Sequence, residues 1–328
     1  MKHRSRTVYL LIPLILVMVA LFLLGGVKLL ESLLLPRVNV PSQTVTRRIE
    51  RDGTIYYPRQ DIRVILLTGT DTGGKPEHSG SDNNKASVDL VALLIFDEAT
   101  EEFRILSLNR DTMMNIPVLG INGKDAGTVY ARLANGHNYG TGMADSCENT
   151  CSAVSDFLYG LTIDHYFCVN MDGICVLNDS VGGVEVRIDE DFSAVDPTLK
   201  QGATMVLHGE QAYSFIRSRD GVGSQLNLSR MERQMQYMEG LVASLKASIS
   251  ADKMFFVELR DNISDYVQTD CRAMALYNLA TEYSHYRFAG CITLEGETIL
   301  GDRYYEFYPD LELLDGLILD LFYEPVDS

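Results

Sequence analysis

VDLVALLIF, residues 88–96, contains a single polar side chain, Asp89. An apolar run this short and this continuous matches a strand covered on both faces, not one with a wet side. Working outward from it, Ile62 to Thr68, Phe103 to Leu108 and His165 to Val169 read as further strands, and Val184 to Ile188 as another after the turn pair Gly182-Gly183. Helical spacing recurs at 143–159, 171–180, 208–216 and 229–248. Such alternation predicts a layered α/β fold, a single α-β-α domain with a central mixed sheet. Beyond residue 250 the pattern weakens to a helical segment at 270–284, a strand at 290–294 and an aromatic patch, Tyr304, Tyr305, Phe307 and Tyr308, which we read as core packing.

The N-terminus has a different character. Lys2, Arg4 and Arg6 have no acidic partner, and the uncharged run from Val8 to Val27 follows. As a helix it spans roughly 30 Å, the thickness of a bilayer's hydrocarbon. A cleavable signal peptide would have an apolar core of about 7–15 residues and an A-x-A-like exit. The positive-inside rule then predicts a cytoplasmic tail at 1–7, a transmembrane helix at 8–27, an extracytoplasmic stalk at 28–57 and a folded body at 58–328. The expected location is the bacterial cytoplasmic membrane, single-pass, with the body outside. The formal net charge of −17 is concentrated in that body and disfavours nucleic acid as a partner. Six cysteines stand at 147, 151, 168, 175, 271 and 291. Their pairing is not fixed by the sequence; they read as buried small apolar residues with at most one disulfide, such as Cys271 to Cys291, and a zinc site would want a second pair and histidines at ligand spacing.

Candidate chemistry concentrates in residues 208–248. Ser229-Arg230-Met231-Glu232 has the form of a capping box before the apolar spacing Met231, Met235, Met238, Leu241, Leu245. Arg230 in the first turn of that helix sits where the helix dipole favours an anion. Arg217 and Arg219 precede it by a short loop, and Gln234 shares a helix face with Arg230. Guanidinium groups match phosphate oxygens two-pronged, so a phosphate or pyrophosphate is the expected guest. Arg233 reads instead as a solvated or paired charge, with Glu210, Glu232 or Glu239 as partner. Asp71 and the pair Arg110-Asp111 follow apolar strands and Asp89 stands at the start of one; α/β sheets collect ligands beyond the carboxyl ends of strands, a rule that Asp71 and Asp111 fit directly. Two carboxylates there suit Mg²⁺ alongside substrate phosphates, with Arg110 neutralising the phosphoryl group. Gly69 to Lys75 fits G-x-x-x-x-G-K, but Pro76 replaces the Ser or Thr a nucleotide-binding loop needs.

Seven blocks occur in order, ILLTGTD, VDLVALLIFD, ILSLNRDT, IDHYFCVNMDG, VGGVEV, LHGEQAYSFIRSRD and SRMERQ, within a stretch from about Ile62 to Lys246. Together they resemble the LytR-CpsA-Psr family of cell-wall phosphotransferases. The resemblance implies a catalytic domain at 58–328 with its motif core at 62–246. It implies transfer of an anionic glycopolymer, teichoic-acid-like or capsular, from an undecaprenyl-pyrophosphate carrier to a peptidoglycan acceptor. Asp71 and Asp89 would be the Mg²⁺ carboxylates; Arg110, Arg217, Arg219 and Arg230 would hold the pyrophosphate, with Gln234 in support; an apolar groove would take the lipid tail. Where the family usually has Gly-Asp before the Arg-x-x-Arg-Gln helix, this chain has Leu226-Asn227, and Thr72-Gly73 stand where an arginine is common. The same site with water as acceptor would be a pyrophosphatase; without catalysis it would be an anionic-polymer or lipid-binding protein.

Overall fold

The computed structural model describes residues 48–77, 79, 84, 86–120, 125–218, 221–223, 227–252, 255–271, 279, 282–283 and 285–326. The expected transmembrane helix at 8–27 lies outside the described residues, as does most of the expected helix at 270–284. In chain order the elements are β1 (Ile49–Arg51), β2 (Thr54–Pro58), β3 (Ile62–Thr70), β4 (Val88–Asp97), β5 (Glu102–Ser107), β6 (Met113–Leu119), β7 (Asp125–Arg132), α1 (Ala144–Phe157) and β8 (His165–Asn170). There follow α2 (Met171–Ser180), β9 (Val184–Arg187), β10 (Thr204–Leu207), α3 (Glu210–Arg217), α4 (Asn227–Ala251), α5 (Phe255–Ile263) and β11 (Val267–Thr269). The C-terminal part adds β12 (Arg287–Thr293), β13 (Gly296–Leu300), β14 (Tyr305–Pro309), α6 (Leu311–Phe322) and β15 (Tyr323–Pro325).

The central sheet is mixed and runs β11-β8-β3-β4-β5-β12. β3 lies antiparallel to β4 and parallel to β8, and β12 joins β5 in parallel. The apolar run at 88–96 is β4, buried on both faces as its composition requires. Ala92, Leu94 and Phe96 enter one core with residues of α2, α3, α4 and α5; Val91, Leu93 and Ile95 enter the other with α1, β6 and α6. Helices on both faces of a mixed sheet confirm the layered α/β architecture.

Three expectations change. Residues 49–57, read as the end of the stalk, form the β1–β2 hairpin together with Pro58, and β2 pairs with β15, so the folded body starts at least nine residues before Pro58. The stretch carries no long apolar signal because its pairing partner is the chain's far end. Of the aromatic patch only Phe307 is fully buried; Tyr304 is exposed and lies under the Arg132 guanidinium, 4.1 Å from its carbon. All six cysteines are free thiols. Cys271 follows β11 and Cys291 lies in β12, at opposite edges of a six-stranded sheet on the order of 24 Å across, far beyond disulfide reach.

Candidate active site

The site forms where β3 and β4 leave the sheet. Gly69 faces Leu90, but Thr70 faces Val88, so the intervening Asp89 is the extra residue of a β-bulge. A bulge breaks the two-residue alternation and re-aims a side chain. Val88 turns into the α1-side core while the Asp89 carboxylate turns to meet two arginines. Opposite it, Asp71 is clasped to Ser87: its N–H donates to the Ser87 carbonyl at 3.0 Å and its Oδ1 accepts the Ser87 N–H at 2.8 Å.

Arg110 sits in a turn after β5 that is locked from several sides. Thr112 N–H and hydroxyl both donate to the Asn109 carbonyl (2.9 and 2.6 Å), and Ala134 N–H donates to the Arg110 carbonyl at 2.8 Å. The Arg110 guanidinium pairs with Asp89 Oδ1 and its Nε lies 3.7 Å from Asp111 Oδ1. Asp111, expected as a possible ligand-facing carboxylate, is instead buried and accepts from Arg132 Nη1 at 3.1 Å. Its role is to orient cations.

Arg230 is 1 % exposed and donates through Nη1 to the same Asp89 Oδ1 at 3.0 Å. Its Nη2 donates to Asn227 Oδ1, and Asn227 Nδ2 donates to Asn109 Oδ1 at 2.7 Å. The neutral amide that replaces the family's usual acid therefore bridges two elements of the site. The capping box does not form: α4 begins at Asn227, two residues early, and Ser229 lies inside the helix with its buried hydroxyl making no hydrogen bond among the described residues. Arg230 consequently stands one turn into the helix, still at its N-terminal end.

Arg217 ends α3, exposed, with its guanidinium carbon 5.3 Å from the Tyr213 ring centre. Arg219 lies outside the described residues. Asp71, Asp89, Arg110, Arg217 and Arg230 all line one polar cavity of about 350 Å³, together with Tyr213 and Ser218. Three guanidiniums thus face two carboxylates, two of the cations buried, an arrangement whose excess positive charge asks for an anion.

Gln234, one turn beyond Arg230, faces elsewhere: its Nε2 donates to the Ile216 carbonyl at 3.4 Å and it lines a neighbouring apolar cavity with Leu67, Leu90, Ile174, Met238 and Leu241. Arg233 is neither solvated nor paired with Glu210, Glu232 or Glu239. It is buried, 2.9 Å from Glu190 Oε2, and donates to the carbonyls of Phe215 (2.7 Å) and Ser218. Burial lowers its pKa from the usual arginine value, with Glu190 opposing. It fastens the end of α3 to α4 and so fixes where Arg217 projects. Sequence reasoning missed Arg132, Asn109 and Tyr213: Asn109 and Tyr213 stand inside the ILSLNRDT and LHGEQAYSFIRSRD blocks without a local pattern that gives them a role, and Arg132 lies outside every block.

The model of the LytR_cpsA_psr family matches residues 40–312. A polyisoprenyl-teichoic acid–peptidoglycan teichoic acid transferase, TagU of Oceanobacillus iheyensis, is 29 % identical over 301 residues, covering 89 % of this chain and 87 % of its own length. Among solved structures, the gbs0355 protein of Streptococcus agalactiae shares the fold at TM-score 0.64 and 21 % identity, with 80 % of this chain and 86 % of that one covered. TagV of B. subtilis does so at TM-score 0.58 and 21 % identity, covering 80 % and 96 %.

Proposed function

The chain belongs to the LytR-CpsA-Psr family, and from that premise we propose that it is a phosphotransferase moving an anionic glycopolymer of teichoic-acid type from a polyprenyl-pyrophosphate carrier to peptidoglycan. One observation carries the reading: the cationic cavity abuts the apolar one. Asp89 and Leu90 are consecutive, as are Ile216 and Arg217, and Arg230 and Gln234 are one helical turn apart, yet one member of each pair lines the polar cavity and the other the apolar. A pyrophosphate joined to a hydrocarbon tail is the substrate class that matches both surfaces at once.

In the reaction a peptidoglycan hydroxyl attacks the phosphorus bonded to the glycan. The phosphorus–oxygen bond to the lipid phosphate breaks, polyprenyl phosphate leaves, and a phosphodiester remains. Arg217 and the two buried arginines stabilise charge on the transferring phosphoryl group, an effect worth about 10³–10⁵ in rate for a well-placed arginine. Arg230 and Arg110 are pre-oriented by Asp89, so little reorganisation accompanies the step. Asp71, the carboxylate without a guanidinium partner among its recorded contacts, is our choice for accepting the hydroxyl proton.

Mg²⁺ fits the donor set. Both arginines use Asp89 Oδ1, so the other oxygen is the one a cation would take, and Asp71 lines the same cavity. No third acidic or histidine ligand joins them among the described residues, which is acceptable because magnesium commonly relies on one or two carboxylates with phosphates and water. Bound there, it would neutralise pyrophosphate charge. The basic tail at 1–7 and the uncharged run at 8–27 support an anchored enzyme acting outside the cytoplasmic membrane.

The test is the full-length protein in detergent with lipid-linked glycan and peptidoglycan, with magnesium or with chelator. We expect transfer that chelation abolishes. Phosphate release regardless of acceptor, with no glycan attached, would replace transferase by pyrophosphatase, and neither product would leave only binding.

A further inference from the structure

A buried His/Cys cluster lies on the α1 side of the sheet, beside β8. We propose that His137, Cys147 and Cys168 form a binding site for a thiophilic divalent cation of the zinc class, separate from the carboxylate site. His137 comes from the loop after β7, Cys147 from the first turn of α1 and Cys168 from the middle of β8. One ligand atom of each lies within 4.8 Å of the other two, and all three residues are at most 5 % exposed. Zinc bonds of about 2.3 Å to sulfur and 2.0–2.1 Å to nitrogen hold ligand atoms roughly 3.3–3.8 Å apart, so a closure of about 1 Å assembles the site.

The polar groups point the same way. Among the described residues His137 Nδ1 is buried with no hydrogen-bond partner, an unsatisfied state that a purely structural core histidine avoids. The Cys147 and Cys168 sulfurs face one another as free thiols, so both are open to a shared cation. Two thiolates and a neutral imidazole cancel a divalent charge, so the occupied site would be electrically neutral where burial demands it. A disulfide between the two cysteines would leave the imidazole unsatisfied; a shared cation satisfies all three.

His137 and Cys168 also line a polar cavity of about 230 Å³ shared with Asn84, Asn170 and Gln268. That cavity leaves the fourth coordination position open to water or a small ligand, whereas a purely structural zinc would be closed by protein. Soft sulfur donors select zinc-class cations over magnesium, so the two sites would not compete for the same ion.

Cobalt(II) is the probe. Full-length protein, reduced, stripped with chelator and held in detergent, is titrated while sulfur-to-cobalt charge-transfer absorption is followed; carboxylate sites give no such band. We expect one cobalt per chain with that band, displacement by zinc, and loss of the band in Cys147→Ser and Cys168→Ser. Cys291→Ser, at an exposed thiol, should leave it unchanged. Folded wild-type protein that shows no thiolate band overturns the proposal whatever the variants do. So does a Cys147–Cys168 disulfide in protein taken from membranes without reductant. Neither result bears on glycan transfer, which is read separately.

Discussion

At Asp89 one carboxylate oxygen receives two buried guanidiniums, and this asymmetry separates residues that hold the site together from those that meet substrate. Arg230→Ala leaves a buried carboxylate short of a partner and should cost about 3–5 kcal/mol of stability along with activity. Arg217 is exposed at a helix end and touches only the Tyr213 ring among its recorded contacts. Arg217→Ala should therefore unfold within about 0.5 kcal/mol of wild type while glycan transfer falls roughly 10²–10³-fold. Urea unfolding beside a transfer assay checks both, and equal losses of stability would contradict the division. The arginines themselves were legible in the sequence, Arg230 because a cation at a helix N-terminus needs a reason and the others because they stand in the quoted blocks. Their partners were not. Asp89 reaches Arg230 across 141 positions, and no local pattern reports a contact of that range.

Helix α4 carries Arg230, Arg233 and Gln234, so its seating on the rest of the domain decides the geometry of the site. Gly240 lies where α4 crosses β9: a Cβ there would overlap the Glu185 carbonyl oxygen and stand 2.7 Å from Val184 Cγ1. Gly240→Ala should push the helix outward, lowering stability by about 1–3 kcal/mol in thermal or urea unfolding despite alanine's better helix propensity. A second element contact is electrostatic. His165 at the start of β8 meets Asp270 just past β11, and that hydrogen bond, helped by Cys271, raises the histidine pKa from 6.5 to about 10. A raised folded-state pKa means stability fully present below pH 6.5 and lost as pH climbs through about 10. Asp270→Asn, which keeps an acceptor for the Tyr166 N–H, should be less stable than wild type by under about 1 kcal/mol at the acidic end, and indistinguishable above the upper value. Elements with strong periodicity or continuous burial, such as β4 and α1, were readable from the chain. The β6–β7 hairpin was not, because β7 is exposed over most of its length and bears no alternation, and Arg132 was missed with it.

The whole domain divides its two cores by function. The α1 side, joined by β6, β7 and the C-terminal hairpin, braces the Arg110 turn: Phe307 N–H donates to the Asp111 carbonyl at 2.8 Å, and Thr112 bridges to Phe307. The opposite side holds the apolar cavity between the sheet and α2 and α4. Sequence blocks revealed the cationic residues but not this cavity, since its lining of Leu, Ile, Met and Phe looks like any core until helices leave a gap between them. Its use as the tail channel can be isolated from the chemistry. Ile174, partly buried on α2, projects into the cavity and is remote in sequence from the charged residues. Ile174→Trp should narrow the channel and lower kcat/KM for a long-tailed polyprenyl pyrophosphate substrate by about tenfold or more, the scale on which pockets reject poor fits. Turnover of a short-tailed water-soluble analogue should remain within about twofold, because in the proposed reaction the phosphoryl group would be held by Arg110, Arg217 and Arg230 and not by the tail. Equal losses on both substrates would mean that the tryptophan disturbs the charged cavity, and no loss on either would mean that the tail takes another path.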